Sequence, residues 1–504
     1  MKKTILLCAI LSFLRLAFCQ APFPNFDSYI QTAMIDWQIP GMSVAIVKDG
    51  KIIYAKGYGV RNISRPNEKV DENTIFAIGS NTKAFTATAL ALLQQERKLS
   101  LEDKVGRFFP NFKMADDFAT QEMTIKDLLT HRIGIDTWNG DFTHWGSKYS
   151  KEELIQKMKY IPTASSLRSR FAYCNIAYML AGEVIPKVTK GKTWEVFLKE
   201  RFFEPLQMSR TCTSTNELPA FDNVAMPHTL YRKKLMPVPW RNIDNLAACG
   251  SINSTVIDMS HWLIMQMDSG RYAGKMIVPQ LVLNNVHAAQ VAIPVLPYHN
   301  DLFPSSHFAA YGLGWFLKDY QGKMLIHHAG VVDGMMSQTA FVPENNIGLV
   351  ILTNSDAHHF TDALMYQILD AYLGETTKDW NKAFLAEKEQ EAENSEPFGA
   401  SKNTHNKASL PLESYTGYYL HPHYGQMTIR LQNKELVVQP SAHPNITGKI
   451  KAWNGDKMLC EWSDKVWDSS VLSFMIENGK VKDFDMSVRP DLIDPMLYVF
   501  EKME

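Results

Sequence analysis

Residues 41–60, GMSVAIVKDGKIIYAKGYGV, hold two β-prone runs joined by Asp49-Gly50. That dipeptide accepts the positive φ of a type I′ turn, so the stretch predicts an antiparallel hairpin. Apolar residues then recur at helical spacing over 80–97, 123–132, 151–160 and 194–203, which predicts helices. Strand patterns return in GKMLIHHAG (322–330), SQTAFVPE (337–344) and NIGLVILTNS (346–355), before a helical pattern near 360–373. Strands at both ends with helices between them predict one sheet assembled from distant pieces and covered by a helical insert.

Residues 379–409 change character, first charged and then polar, and predict a helix running into a linker. Beyond them, YTGYYLHPHYGQMTIRLQNKELVVQP and VLSFMIENGKVKDFDMSV alternate apolar and polar residues, with turn signals at Gln432-Asn433 and Asn478-Gly479. Short strands of this kind predict a separate β domain over 410–504, after a main domain at 20–378. The first 19 residues have a charged start, a short apolar run and a small-residue exit, the pattern of a removable export signal. A membrane anchor is the other reading, disfavoured because the run is shorter than the ~20 residues that span a bilayer; the expected location is periplasmic or secreted.

Composition narrows the function. The 504 residues carry a formal net charge of -1, and no basic stretch interleaves with aromatics, which argues against nucleic acid as a partner. Cys8 and Cys19 would leave with the signal; Cys174, Cys212, Cys249 and Cys460 are too widely spaced for a disulfide scaffold or a zinc ribbon. Neither a metal nor another cofactor is expected.

The chemistry starts at Ser80, where the strand-like TIFAIG gives way to the helical NTKAFTATALALL. Lys83 lies one turn on, on the same face. Burial disfavours a charged lysine, and a neutral one can take the serine proton. Ser80 as a plain helix cap fits the same letters. In RFAYCNIAYMLAGEVI, Tyr173 offers a phenol that can shuttle a proton and Asn175 an amide that can hold a carbonyl; ordinary packing is the other reading. In MLIHHAGVVDGMMS, His328 and Gly330 sit on a strand that turns at once, a donor beside a close backbone approach, or simply a strand histidine near a turn.

Taken in order, Ser80-Asn-Thr-Lys83, Tyr173-Cys-Asn175 and His328-Ala-Gly330 resemble the three motifs of the serine β-lactamase and penicillin-recognising superfamily. The branch resembled contains class C β-lactamases, D-alanyl-D-alanine carboxypeptidases, D-aminopeptidases and esterases. TIKDLLTHRIGI, FFEPLQMSRT, AACGSINSTVIDMSHWL and YGLGWFLKD are similar to recurrent segments of that branch. The resemblance implies an α/β fold with an antiparallel sheet flanked by helices and a helical region, followed by a small lipocalin-like β domain that can restrict substrates by size. It also implies an acyl-enzyme mechanism: Ser80 as nucleophile, Lys83 and Tyr173 sharing the base role, Asn175, His328 and Gly330 binding substrate, and the N–H groups of Ser80 and Val331 as oxyanion hole. Substrates would be D-residue peptides, small amides or esters, with the cell wall as one setting. A β-lactamase proper, a non-catalytic penicillin-binding protein and a self-assembling scaffold are the alternatives.

His328 stands where true β-lactamases usually carry a lysine, and an imidazole is mostly neutral at pH 7. That shifts the expectation toward peptidase or esterase activity. His131 reads as a buried histidine fixing a loop, and the pairs His358-His359 and His421-Pro-His423 read as surface positions. No G-x-S-x-G elbow is present.

Overall fold

The hairpin forms in the computed structural model as its dipeptide predicts. Strands β1 (Gly41–Lys48) and β2 (Lys51–Gly59) pair antiparallel, and Asp49 and Gly50 turn between them at φ 51° and 73°. The structure describes residues 21–295, 302–303, 305–356, 358–374, 378–394, 406–488 and 494–503. The export signal expected at 1–19 lies outside the described residues, as does 395–405 of the expected linker.

Contacts group the chain into two units, one built from the chain up to Leu99, Val188–Asn242 and Gly250–Glu389, the other from Ser100–Lys187, Ile243–Cys249 and Gln390–Glu504. The first unit is organised by an eight-stranded sheet. After the hairpin come β3 (Val291–Ile293), β4 (Ala309–Tyr311), β5 (Phe316–Tyr320), β6 (Lys323–Val332), β7 (Met335–Val342) and β8 (Ile347–Thr353). Their spatial order is β2-β1-β8-β7-β6-β5-β4-β3, antiparallel throughout. The early hairpin joins the late strands through β1 and β8, with Met42 opposite Thr353.

Every residue of β7 and β8 is buried, as expected of strands covered on both faces. On one face Val44, Ile46, Leu349 and Ile351 pack with Ile30 and Trp37 from the N-terminal helical region and Leu364 and Ile368 of helix 360–373. Helix 256–267 packs against β1 and β8. The helix carrying the candidate nucleophile, α1 (Thr82–Gln95), is buried from Thr82 to Leu93. It is anchored by Phe85 stacked on Trp262 at 3.8 Å and by Trp194 Nε1 donating to Thr86 Oγ1 at 2.9 Å.

The second unit contains short helices, among them α2 (Asp141–His144) and α3 (Asn175–Gly182), and a closed barrel. The barrel strands are β9 (Gly417–His421), β10 (Gly425–Gln432), β11 (Glu435–Pro440), β12 (Gly448–Asn454), β13 (Lys457–Trp462), β14 (Ser469–Glu477), β15 (Lys480–Val488) and β16 (Asp494–Lys502). Each pairs with its neighbours in the chain, and β9 pairs with β16 to close the ring. Closure removes the exposed edges that an open antiparallel sheet would present. Along β16, Asp494, Met496, Tyr498 and Phe500 are buried and the residues between them exposed, the alternation that sends every second side chain inward. Phe142 of α2 belongs to the barrel's own apolar core.

One sequence expectation is corrected here. His358, His421 and His423 are buried rather than on the surface; only His359 of the two pairs is exposed. Each buried ring lies against backbone, hydroxyl or aromatic partners, such as Lys157 O on His423 Nδ1 and Thr353 Oγ1 on His358 Nε2, contacts that residue spacing does not reveal. Cys174, Cys212, Cys249 and Cys460 are all buried.

Candidate active site

A 3₁₀ turn at Gly79–Asn81 places Ser80 directly before α1. Gly79 has φ 51°, and a Cβ there would lie 2.7 Å from Val331 N and 3.0 Å from Gly330 C. Only a glycine lets this turn come so close to β6. Gly330 reciprocates, since a Cβ on it would lie 2.0 Å from Ile78 O. Asn81 Nδ2 donates to Ser337 Oγ at 2.8 Å, and Ser337 Oγ donates to Ile78 O at 2.7 Å, which ties the turn to β7. From this turn Lys83, with no exposed surface, reaches Ser80 Oγ at 3.0 Å. Ser80 itself is half-buried.

Strand β5 ends its pairing with Phe316 opposite His327. Past that point, among the described residues, β6 is paired only with β7 and no described strand lies against the opposite edge near Val331, where the Gly79–Ser80 turn packs instead. The turn that carries Ser80 is thereby pressed against the strand-edge amide of Val331.

His328 is almost fully buried. Its Nδ1 donates to Ala329 O at 2.6 Å, and its Nε2 accepts from Tyr311 OH at 3.2 Å. Burial, with Lys83 nearby as a second cause, pulls the imidazole down to about 3, against the Ala329 hydrogen bond. The ring is neutral and supplies no positive charge to its surroundings.

Tyr173, Cys174 and Asn175 lie in the second unit and lead into α3. The loop before α2 holds this motif residue by residue. Thr137 Oγ1 accepts from Tyr173 N at 3.1 Å, and Trp138 N donates to Tyr173 O at 3.0 Å. His131 Nδ1 accepts from Cys174 N at 3.0 Å, and its ring stacks on Tyr173 with centroids 4.3 Å apart. Asn175 Nδ2 donates to Asp141 Oδ2 at 2.6 Å, which orients the amide. His131 thus fixes a loop, as its sequence context suggested, and that loop is the one bearing the motif. Asp141 and Thr137 had no signal of their own, being single polar residues in unpatterned stretches; Tyr311 opens the YGLGWFLKD segment, but nothing there pointed to His328.

The structure therefore brings Ser80, Lys83, His328, Gly330 and Val331 together in the first unit, and Tyr173 with Asn175 in the second. A buried lysine on a serine at the mouth of a helix, beside an antiparallel strand edge opened by glycines, defines the class of the serine β-lactamases and penicillin-recognising proteins. The sequence model of the Beta-lactamase family matches residues 26–372, and the chain belongs to that family. A second model, described as a domain of unknown function (DUF3471), matches residues 401–500.

Among curated relatives, the unguisins hydrolase ungD' of Aspergillus campestris is 28% identical over 80% of this chain and 77% of its own length. Protein flp of Staphylococcus aureus is 28% identical over 66% of this chain and 64% of its own length. The octameric penicillin-binding protein homologue from Pyrococcus abyssi shares the fold, with a TM-score of 0.62 at 24% identity over 94% of this chain and 99% of that one.

Proposed function

We propose that this chain is an exported serine hydrolase that works through an acyl-enzyme and acts on amide or ester bonds, as a peptidase or an esterase rather than a β-lactamase. The observation that carries the reading is Lys83 Nζ, fully buried and 3.0 Å from Ser80 Oγ. In the proposed reaction Ser80 Oγ adds to the substrate carbonyl carbon while its proton passes to the Lys83 and Tyr173 pair. The oxyanion is met by the amides of Ser80 and Val331, a feature worth ~3–4 kcal/mol per donor. Collapse expels the leaving group, which takes up that proton. Water then attacks the acyl-enzyme, its proton passing through Tyr173 to Ser80 Oγ as the bond from Oγ to the acyl carbon breaks. Asn175 holds a carbonyl of the substrate, and the strand at His328 and Gly330 lies along it.

The neutral, buried His328 supports the preference for peptides or esters. A cation at that place would favour a substrate carboxylate, and this ring carries none. The relatives named as hydrolases support hydrolysis in general.

The test is a four-member panel given to wild type and to Ser80→Ala: a chromogenic cephalosporin, a D-alanyl anilide, a peptide ending in D-alanyl-D-alanine, and a short-chain nitrophenyl ester. The expected result is turnover of the anilide, the peptide or the ester by wild type, reduced at least ~10⁴-fold in Ser80→Ala. Equal rates in the two proteins on every member would reject the reading, and turnover of the cephalosporin alone would make the chain a β-lactamase.

A further inference from the structure

The second motif is held by a segment that cannot hold itself. Helix α2 has four residues, far below the ~12–15 at which an isolated helix becomes even marginally stable in water. Its N-cap is Gly140, which has no side chain to accept from the first helical amides. A capping serine or aspartate is excluded there. Gly140 sits at φ 91°, and a Cβ would lie 2.9 Å from Ile161 Cδ1 and 3.0 Å from His423 Nε2.

The missing cap comes from the first residue of β16. Asp494 Oδ2 accepts from Phe142 N at 3.0 Å, the amide that an N-cap side chain would ordinarily bond, and from Gly140 N at 3.1 Å. Asp494 has no exposed surface. Its own place is fixed by Met496 N donating to Oδ1 at 2.8 Å and Tyr498 OH donating to Oδ2 at 2.5 Å. Phe142 anchors the same helix a second way. Its ring stacks on Tyr424 at 4.6 Å between centroids and meets Trp467 edge-on at 4.8 Å, inside the barrel.

Between the two anchored positions, Gly140 and Phe142, stands Asp141, the carboxylate that takes Asn175 Nδ2 at 2.6 Å. An amide nitrogen carries two N–H bonds. With one committed to Asp141, the direction of the other is set.

We propose that the barrel is the positioning element of the second motif: Asp494, acting through α2, holds Asp141 where it orients the Asn175 amide toward the substrate carbonyl. The role given to Asn175 rests on the serine-hydrolase reading above; the clamp itself rests on the contacts from β16 to α3. Burial pushes the Asp494 carboxyl up to about 7, against the pull of Tyr498 OH, Met496 N and Phe142 N. Donors reach both carboxyl oxygens, Met496 N on Oδ1 and Gly140 N, Phe142 N and Tyr498 OH on Oδ2, and an asparagine there would turn its NH₂ toward one of these sets.

The test uses the full-length protein and a double-mutant cycle with Asn175→Ala, read as kcat/KM on a short-chain nitrophenyl ester. Asp494→Asn is expected to lower kcat/KM about tenfold in the wild-type background and by less than twofold in the Asn175→Ala background, because its effect passes through that amide. A general loosening of the fold would lower both backgrounds by the same factor, and that outcome, or no change in either, overturns the proposal.

Hydrogen exchange supplies a readout independent of turnover. Asp494→Asn is expected to speed exchange in peptides covering 137–145 and 171–176, and unchanged exchange there sinks the clamp even if no substrate is found. If Asp494→Asn fails to fold, Tyr498→Phe removes one donor to the same carboxylate, with about a threefold loss expected in the same cycle and the same exchange readout; no effect in either overturns the proposal. Ser80→Ala run alongside separates the two ideas. Activity surviving in Ser80→Ala rejects the hydrolase reading, whereas activity lost there but untouched in Asp494→Asn rejects only the clamp.

Discussion

Ser80 and Lys83 are three residues apart and meet through a single turn of backbone. Asn175 and its carboxylate Asp141 are 34 positions apart, and the cap on the helix bearing Asp141 comes from a further stretch of chain 354 positions away from Gly140. The nucleophile turn is fixed by local geometry and by glycines pressed against a strand edge. The amide is fixed by a succession of long-range contacts, each supplied by a different element. The Ser80–Lys83 contact depends on one close approach, between its turn and β6, whereas a group held through several elements inherits the weaknesses of all of them.

The sharpest way to break the first half is to thicken the strand edge. Gly330→Ala would put a methyl 2.0 Å from Ile78 O and 2.5 Å from Ser337 Oγ, which must displace the Gly79–Ser80 turn. We expect kcat/KM to fall about 1000-fold, of the order of losing one oxyanion donor, with a lowered melting midpoint on the same sample. A variant retaining wild-type rates would show that the turn and β6 are not mechanically coupled.

The second half should break from a residue that touches no part of the motif. Phe142→Ala leaves a cavity among Tyr424, Trp467 and Tyr498 and should cost about 3–5 kcal/mol in urea unfolding. Activity should fall more modestly, about tenfold, because Asp141 loses one of its two flanking anchors. Full activity in the folded protein would mean that the Asp494 cap alone suffices.

Acid should weaken both halves. His327, His328 and His358 in the first unit are pulled down to about 3 by burial, His144 in the second likewise, and His421 to about 4. Unfolded histidines take a proton near 6.5, while these stay neutral until far lower pH, so stability rises with pH through this window and is lost on acidification. Asp362 and Asp494, raised by burial to about 6 and 7, act in the opposite sense between about 4 and those values, but the histidines outnumber them. Between pH 6.5 and 5 unfolding in urea should show a loss of at least ~2 kcal/mol. A flat profile would mean that the buried rings acquire protons without unfolding.

The smallest effect expected is from Thr137→Val. It removes the acceptor for Tyr173 N and should cost about 1 kcal/mol, with a drop in kcat that the matched change Thr137→Ser restores.

The same contrast explains what could be read from the letters. The β1–β2 hairpin, helix 360–373 and the strands β6 to β8 were legible because turn chemistry and periodicity are local signals. The barrel was legible as alternating strands, and its turns fall at Asn478-Gly479 as expected and at Asn433-Lys434, one residue beyond the expected place. Strands β3, β4 and β5, three to five residues long, are too short to show a period. The three motifs were visible because their spacing is short and their order fixed. Asp141 and Asp494 were not, because a lone aspartate gains its meaning from a partner that only the folded chain brings near. His421 and His423 were misplaced at the surface for the same reason: their setting is made by α2 and the barrel together, as in the His144–His423 ring contact at 5.1 Å.

The pairing of β1 with β8 also sets a timetable. Met42 cannot find Thr353 until some three hundred further residues have been made, roughly 15 to 60 s at ~5–20 residues per second on the ribosome. Through that interval the hairpin, whose β1 becomes almost wholly buried, presents an apolar strand edge with no neighbour, the kind of surface that chaperones hold and that aggregation exploits. Slowing the last part of the central sheet should therefore lower the yield of soluble protein more than the same delay placed in the barrel, whose strands each pair with the one just made.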